Sequence, residues 1–203
     1  IGLVLLHHGL VSFAEDARTT YENMIALVTL AEQRIVEARH APPPAKTRGG
    51  DHADLAELAP ILRGVVAAAS SSADASESAE RQVLSFRAGR EVLHYLEGAE
   101  LARYATAGVA TPDHVIRTKN KPLILVAPEG GAGARSFRQS AVAALSEYME
   151  DYRAYLARHA RPDQNLGALT DARPRVVLVR GLGLFGFAGS VAEAEIVADI
   201  AEA

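Results

Sequence analysis

Strands alternating with helices along this sequence predict a layered α/β (α+β) fold. Three observations carry that prediction. Short runs rich in Val, Leu and Ile at 2–6, 123–126 and 176–179 have the length and bounding turn signals of core strands. Longer stretches at 15–40, 53–69 and 136–159 repeat apolar residues at spacings of three and four, the period of an amphipathic helix. Proline- and glycine-rich segments separate the two patterns.

The elements follow in order. Residues 2–6 read as a core strand, and Gly9 permits a sharp exit into the apolar alternation of Leu10, Val11, Ser12 and Phe13. The first helix has Asp16 as its N-cap. It would bury Tyr21, Met24, Ile25, Val28, Ala31, Ile35 and Ala38, and it stops before Pro42, Pro43 and Pro44. Residues 41–50 read as a linker. The helix at 53–69 carries Leu55, Leu58, Leu62, Val65 and Val66 on one side. A Ser/Ala-rich stretch at 70–80 leads to a short strand at 82–86. A helical stretch at 91–107 is broken at Gly98. Thr111, Pro112 and Asp113 are turn or cap chemistry, and Pro122 opens the strand at 123–126. Pro128 to Gly133 is a glycine-rich loop without the Lys-Ser/Thr of a phosphate-binding P-loop. The long helix at 136–159 would bury Val142, Leu145, Met149, Tyr152 and Leu156. A loop at 162–174 precedes the strand at 176–179. The last helix starts after Ser190, with Glu193 completing a capping-box pattern. Three core strands make a thin sheet for so many helices, which suits a domain read from part-way through.

Composition narrows the function. The 203 residues carry 21 Lys+Arg against 25 Asp+Glu, a net charge of −4, so the whole-chain charge gives no hint of a nucleic-acid-binding face. There is no Trp and aromatics are 5%, which argues against a platform for stacked bases. With no Cys, disulfide scaffolds, Cys-based zinc sites and thiol nucleophiles are excluded. No apolar run reaches the ~18 residues of a membrane span. The opening residues lack the basic region of a signal peptide, so a cytoplasmic protein without a membrane partner is expected. A chain that opens on a buried-strand pattern without Met suggests a fragment of a longer protein.

An internal repeat emerges at an offset of 174 residues. Gly9, Leu10, Phe13 and Ala14 fall on Gly183, Leu184, Phe187 and Ala188, and both segments run strand, glycine, apolar alternation, capped helix. The same region contains Gly181, Gly183 and Gly186, spaced as in a dinucleotide-binding fingerprint. That fingerprint needs its helix to open inside the motif, against the pyrophosphate. Here the cap is Ser190, beyond the last glycine, so NAD binding at this position is not expected.

Among seven histidines, His8 stands out. It sits in a His-His-Gly turn at the end of a strand, where a rigid backbone can present a neutral imidazole to a metal. A catalytic zinc needs about three protein ligands. The sequence offers no H-x-H, H-E-x-x-H or D-x-H to complete the set, so His8 is equally readable as a structural histidine. His114, beside Pro112 and Asp113, is the next most interesting. His40, His52, His94 and His159 fit solvated or capping roles.

The segment LLHHGLVSFAEDARTTYENMIALVTLAE resembles the class II aldolase/adducin family, whose xHG(L/I)(V/I) motif maps onto His8, Gly9, Leu10 and Val11. The blocks at 110–126 (with PDHVIRTK) and 174–203 (with GLGLFGF) are similar to the aldolase region of bifunctional rhamnulose-1-phosphate aldolase/short-chain dehydrogenases. The resemblance implies an aldolase-like sheet covered by helices. Residues 1–40 would be the C-terminal part of the aldolase-like lobe, 41–80 a linker and helix, and 81–203 a second lobe with a degenerate repeat of the first. It implies that His8 is one ligand of Zn2+ or another divalent metal. The remaining ligands and the acid/base residue would lie outside this chain, so the chain alone would be inactive.

The implied reaction is cleavage of a ketose 1-phosphate into dihydroxyacetone phosphate and an aldehyde, with the metal as Lewis acid. A substrate phosphate needs fixed positive charge, for which His114, Arg117 and Lys119 are candidates; a solvated strand edge is the plainer reading of the two cations. NAD would serve only a dehydrogenase domain outside this chain. A homo-oligomer is implied. The alternatives are a non-catalytic, adducin-like assembly module and a dehydrogenase-associated domain.

Overall fold

The computed structural model describes residues 2–6, 8–38, 52–69, 81–128, 133–161, 163 and 170–203. The chain divides into two compact units, Ile1–Pro44 with Val109–Pro112, and Ala45–Gly108 with Asp113–Ala203. The architecture is mixed α/β. The expected loop at 41–50 and the Ser/Ala-rich stretch at 70–80 lie outside the described residues, as do His7 and His40.

The first unit is an antiparallel hairpin of β1 (Gly2–Leu5) and β2 (Gly9–Ser12), followed by helix α1 (Ala17–Ala38). Asp16 caps α1 as the sequence suggests: its carboxylate accepts from the Thr19 backbone N–H at 2.8 Å and the Thr19 hydroxyl at 2.7 Å. Ser12 Oγ donates to the Thr20 carbonyl at 2.9 Å and ties the hairpin to the helix. The expected burial is overturned. β1 is not a core strand, since Leu3, Val4 and Leu6 are 55%, 68% and 85% exposed. No residue of α1 is buried either. The physical reason is the two-stranded sheet: among the described residues no third strand pairs with it, and the packing of α1 leaves Leu10, Met24 and Leu27 only half-buried.

The second unit is a sheet with both faces covered. It contains α2 (His52–Ala68), β3 (Val83–Arg87), α3 (Arg90–Leu96), α4 (Leu101–Ala105), the α5 turns (Pro112–Thr118), β4 (Leu123–Val126), α6 (Gly133–His159), β5 (Val176–Arg180), β6 (Gly183–Ala188) and α7 (Val191–Glu202). The strand order is β3-β6-β5-β4, antiparallel except for the β4–β5 pair. Alternation along the strands assigns the faces. Val177 and Val179 of β5, with Phe185 and Phe187 of β6, meet Leu58, Leu62 and Val66 of α2 and Ala141, Leu145 and Tyr152 of α6. Val176, Leu178 and Leu184 turn the other way, toward Val92, Leu96, Leu101, Val197 and Ala198. Burial on both sides explains why β5 is an unbroken apolar run. Val142, expected on the buried side of α6, is 51% exposed; Phe137, Ala141 and Tyr148 take that side with Leu145, Met149 and Tyr152.

An offset of 174 residues can be laid over the elements. It maps the first residues of β1, β2 and α1 onto those of β5, β6 and α7. The pairing register is the same: Gly2 faces Ser12 as Val176 faces Gly186, and Leu5 faces Gly9 as Val179 faces Gly183. Gly9 and Gly183 share a positive φ, 151° and 157°.

Candidate functional site

His8 lies in the turn of the first hairpin. Its backbone N–H donates to the Leu5 carbonyl at 3.0 Å, closing the turn, and the residue is exposed. The hairpin therefore holds the imidazole at its tip, facing solvent. A metal needs more than this one group. Among the described residues, no cluster of three or more His, Asp or Glu is placed to hold an ion. The described residues by themselves do not fit a zinc site.

The second unit separates the three other candidates. Arg117, for which a solvated strand edge is the plainer expectation, lies instead in the short helix α5, because Pro112 supplies a preset φ at the first helical position. Arg117 is exposed in its last turn. His114 is half-buried, and its carbonyl accepts from the Thr118 hydroxyl at 2.8 Å. Lys119 goes inside: it is 2% exposed, with a φ of 68° that non-glycine residues rarely adopt. The sharp reversal after α5 turns its side chain inward, where its ammonium lies 3.9 Å from the Tyr152 ring centroid and donates to the Asp171 carbonyl. Burial pulls the Lys119 amine down from 10.5 to about 7. Asp171 opposes that shift, while Arg175 and Arg173 add to it.

Around Lys119 is a charged cluster that sequence reasoning missed. Arg173 is 5% exposed and grips the Asp171 carboxylate through Nε at 2.9 Å and Nη2 at 2.9 Å. The Arg173 backbone N–H adds a third bond to the same carboxylate at 2.9 Å. Burial raises the Asp171 carboxyl, but these hydrogen bonds and the charges of Arg173 and Lys119 outweigh it and hold the group below its ordinary value. Tyr152 is pushed up to about 12 by burial, with Tyr155 and Asp171 adding to the effect. A cavity of about 130 Å3 opens beside the cluster, lined by Gln82, Asp171, Arg173, Pro174, Arg175, Ala188 and Gly189. The signal available in the sequence was Asp171, Arg173, Pro174 and Arg175 crowded before a strand.

The glycine motif has a structural explanation. Gly181 to Gly186 span the β5–β6 hairpin, not a strand–helix junction. At Gly183 a Cβ would stand 2.6 Å from the Arg87 carbonyl, and at Gly186 it would stand 2.8 Å from both the Ala194 carbonyl and the Ala198 nitrogen. These glycines let β3 and α7 approach β6 closely. Helix α7 starts only after Ser190, whose hydroxyl accepts from the Glu193 N–H at 3.3 Å.

This β3-β6-β5-β4 unit with α2, α6 and α7 coincides with a family match over residues 53–203, described as "Aldolase class II, second domain". The chain belongs to that family. It is also similar to a Bacillus subtilis (strain 168) protein named "Uncharacterized oxidoreductase YuxG", with 26% identity over 205 residues. That similarity covers 96% of this chain and 27% of the relative, so the chain spans about a quarter of the relative's length. No solved structure matches the chain. No helix among the described residues is long and apolar enough to cross a membrane.

Proposed function

We propose that this chain forms part of a class II aldolase acting on a phosphorylated ketose, a lyase that yields dihydroxyacetone phosphate and an aldehyde. The observation that carries the reading is the class II aldolase second-domain match over 53–203. In this reading His8 is one metal-binding group, and the ligands that complete the site come from residues other than those described. The Lewis-acid role would belong to that completed site. His114, Arg117 and Lys119 remain the proposed sources of positive charge for the phosphate, with exposed Arg117 the best placed to meet a ligand from solvent. The protein would act as a homo-oligomer.

A second reading is favoured by the name of the relative, an oxidoreductase four times as long. We infer that any NAD-dependent dehydrogenase activity resides in a fused domain, because the glycine motif of this chain builds a hairpin. One experiment on the full-length protein tests the aldolase reading. Rhamnulose 1-phosphate is supplied, and dihydroxyacetone phosphate is detected through a coupled reduction; bound zinc is measured in parallel. The proposal expects product from the wild type, and loss of both product and stoichiometric zinc in His8→Ala. Unchanged zinc and turnover in His8→Ala would overturn the role of His8. Absence of cleavage with every ketose 1-phosphate tried would overturn the aldolase reading.

A further inference from the structure

The 170–175 segment gathers more positive than negative charge. Among the described residues Asp171 is the only carboxylate lining the cavity, and Arg173 occupies both its oxygens, at 2.9 Å from Nε to Oδ1 and 2.9 Å from Nη2 to Oδ2. Arg175 also lines the cavity and is half-buried. Among the described residues its guanidinium has no hydrogen bond or ion pair, while Lys119 and Arg173 stand close enough to repel each other's charge. Arg175 is therefore a half-buried cation with no counter-ion of its own beside two further cations, an arrangement that an entering anion would relieve. The lining also holds Gln82, whose amide can donate, together with Pro174, Ala188 and Gly189. Gly189 precedes the N-cap of α7, a 12-residue helix whose positive end adds to the potential. The nearby Glu193 carboxylate is turned into the cap, accepting from the Ser190 hydroxyl at 3.1 Å. At about 130 Å3 the space suits one tetrahedral or planar oxyanion and excludes a nucleotide or an intact sugar.

We propose that this cavity binds a small oxyanion, a phosphate or carboxylate group, through the Arg175 guanidinium and the Gln82 amide. Arg173 is a positioning residue, locked by Asp171. The site rests on the charge and cavity of the second unit alone and stands or falls independently of the aldolase reading.

Calorimetric titration of the protein with sodium phosphate, sulfate and acetate, against chloride at constant ionic strength, tests it. One-to-one saturable binding is expected for at least one oxyanion. Stronger binding of phosphate than acetate assigns a phosphoryl ligand, and the reverse order assigns a carboxylate. Arg175→Gln should weaken binding by about tenfold or more, and Arg175→Lys by less, because a charge-assisted fork is lost in the first and a point charge kept in the second. If Arg175→Gln does not fold, Gln82→Leu takes its place, with an expected weakening of about threefold. No saturable binding by any of the three anions at about 50 mM, or unchanged binding in both Arg175→Gln and Gln82→Leu, overturns the proposal.

Discussion

Lys119→Met should make the protein more stable at neutral pH and remove a specific part of its pH dependence. The amine is 2% exposed, and burial pulls it from 10.5 to about 7. The sign follows from proton counting. Between pH 7 and 10.5 the unfolded chain holds a proton on this lysine that the folded chain has released, so stability rises with pH across that window. Below pH 7 both states are protonated and the full penalty of burying the charge applies, an upper bound of about 5 kcal/mol. From pH 6.5 to pH 9 the wild type should therefore gain about 2.5 kcal/mol from this group. Methionine is close in length and uncharged, but leaves the Asp171 carbonyl without its donor, a cost of about 1–3 kcal/mol. The variant should be about 2–3 kcal/mol more stable than wild type at pH 6.5 and close to it at pH 9. Urea denaturation followed by circular dichroism at several pH values measures both profiles. Every other titrating group is common to the two proteins, so their difference isolates Lys119. Parallel profiles would refute the reasoning, because they would mean that the amine keeps its ordinary affinity for protons in the folded state.

Other expectations follow from the same packing. Gly186→Ala puts a methyl group 2.8 Å from backbone atoms of α7, which must shift away from the sheet; a loss of about 1–3 kcal/mol in chemical denaturation is expected. Asp171→Asn leaves the buried Arg173 guanidinium without its carboxylate and should cost about 3–5 kcal/mol. Because the Asp171 carboxyl is lowered from 3.8, the pair's contribution should persist in wild type down to that pH and fade only below it, which acid titration of the unfolding transition would show. Ser190→Ala removes the cap of α7 and should cost about 1 kcal/mol, read as a lower Tm.

Helix periodicity made α1, α2, α6 and α7 legible in the sequence, and the continuous run 176–179 announced a strand buried on both faces. β6 was harder to read. Gly183 and Gly186 interrupt its apolar pattern, and they are there because β3 and α7 come too close for a side chain, which is a tertiary fact. Burial in the first unit was misjudged because periodicity reports which face is apolar, not whether anything covers it. At the candidate sites, charge drew attention to Lys119 and a turn motif to His8. The depth of Lys119 depends on the positive φ after α5 and on Tyr152, 33 positions away, and neither is visible locally. Asp171 and Arg173 read as part of an ordinary connecting loop, since short-range spacing does not reveal that Arg173 folds back on Asp171.

The strand order has a consequence for how the second unit comes into being during synthesis. β6 is the last strand to leave the ribosome, yet it sits inside the sheet, between β5 and β3. β3, made about 100 residues earlier, pairs with no other strand among the described residues and has no edge to join until β6 arrives. Arg87 of β3 then closes onto Asp199 at 2.7 Å and Glu202 at 3.4 Å, on the helix that follows. The nascent sheet must wait with its longest-range seam open, a topology that slows folding and leaves an apolar edge bare in the interval. Shortening the chain before residue 188 would therefore unseat β3 as well as remove β6, and its effect would be felt across the whole unit.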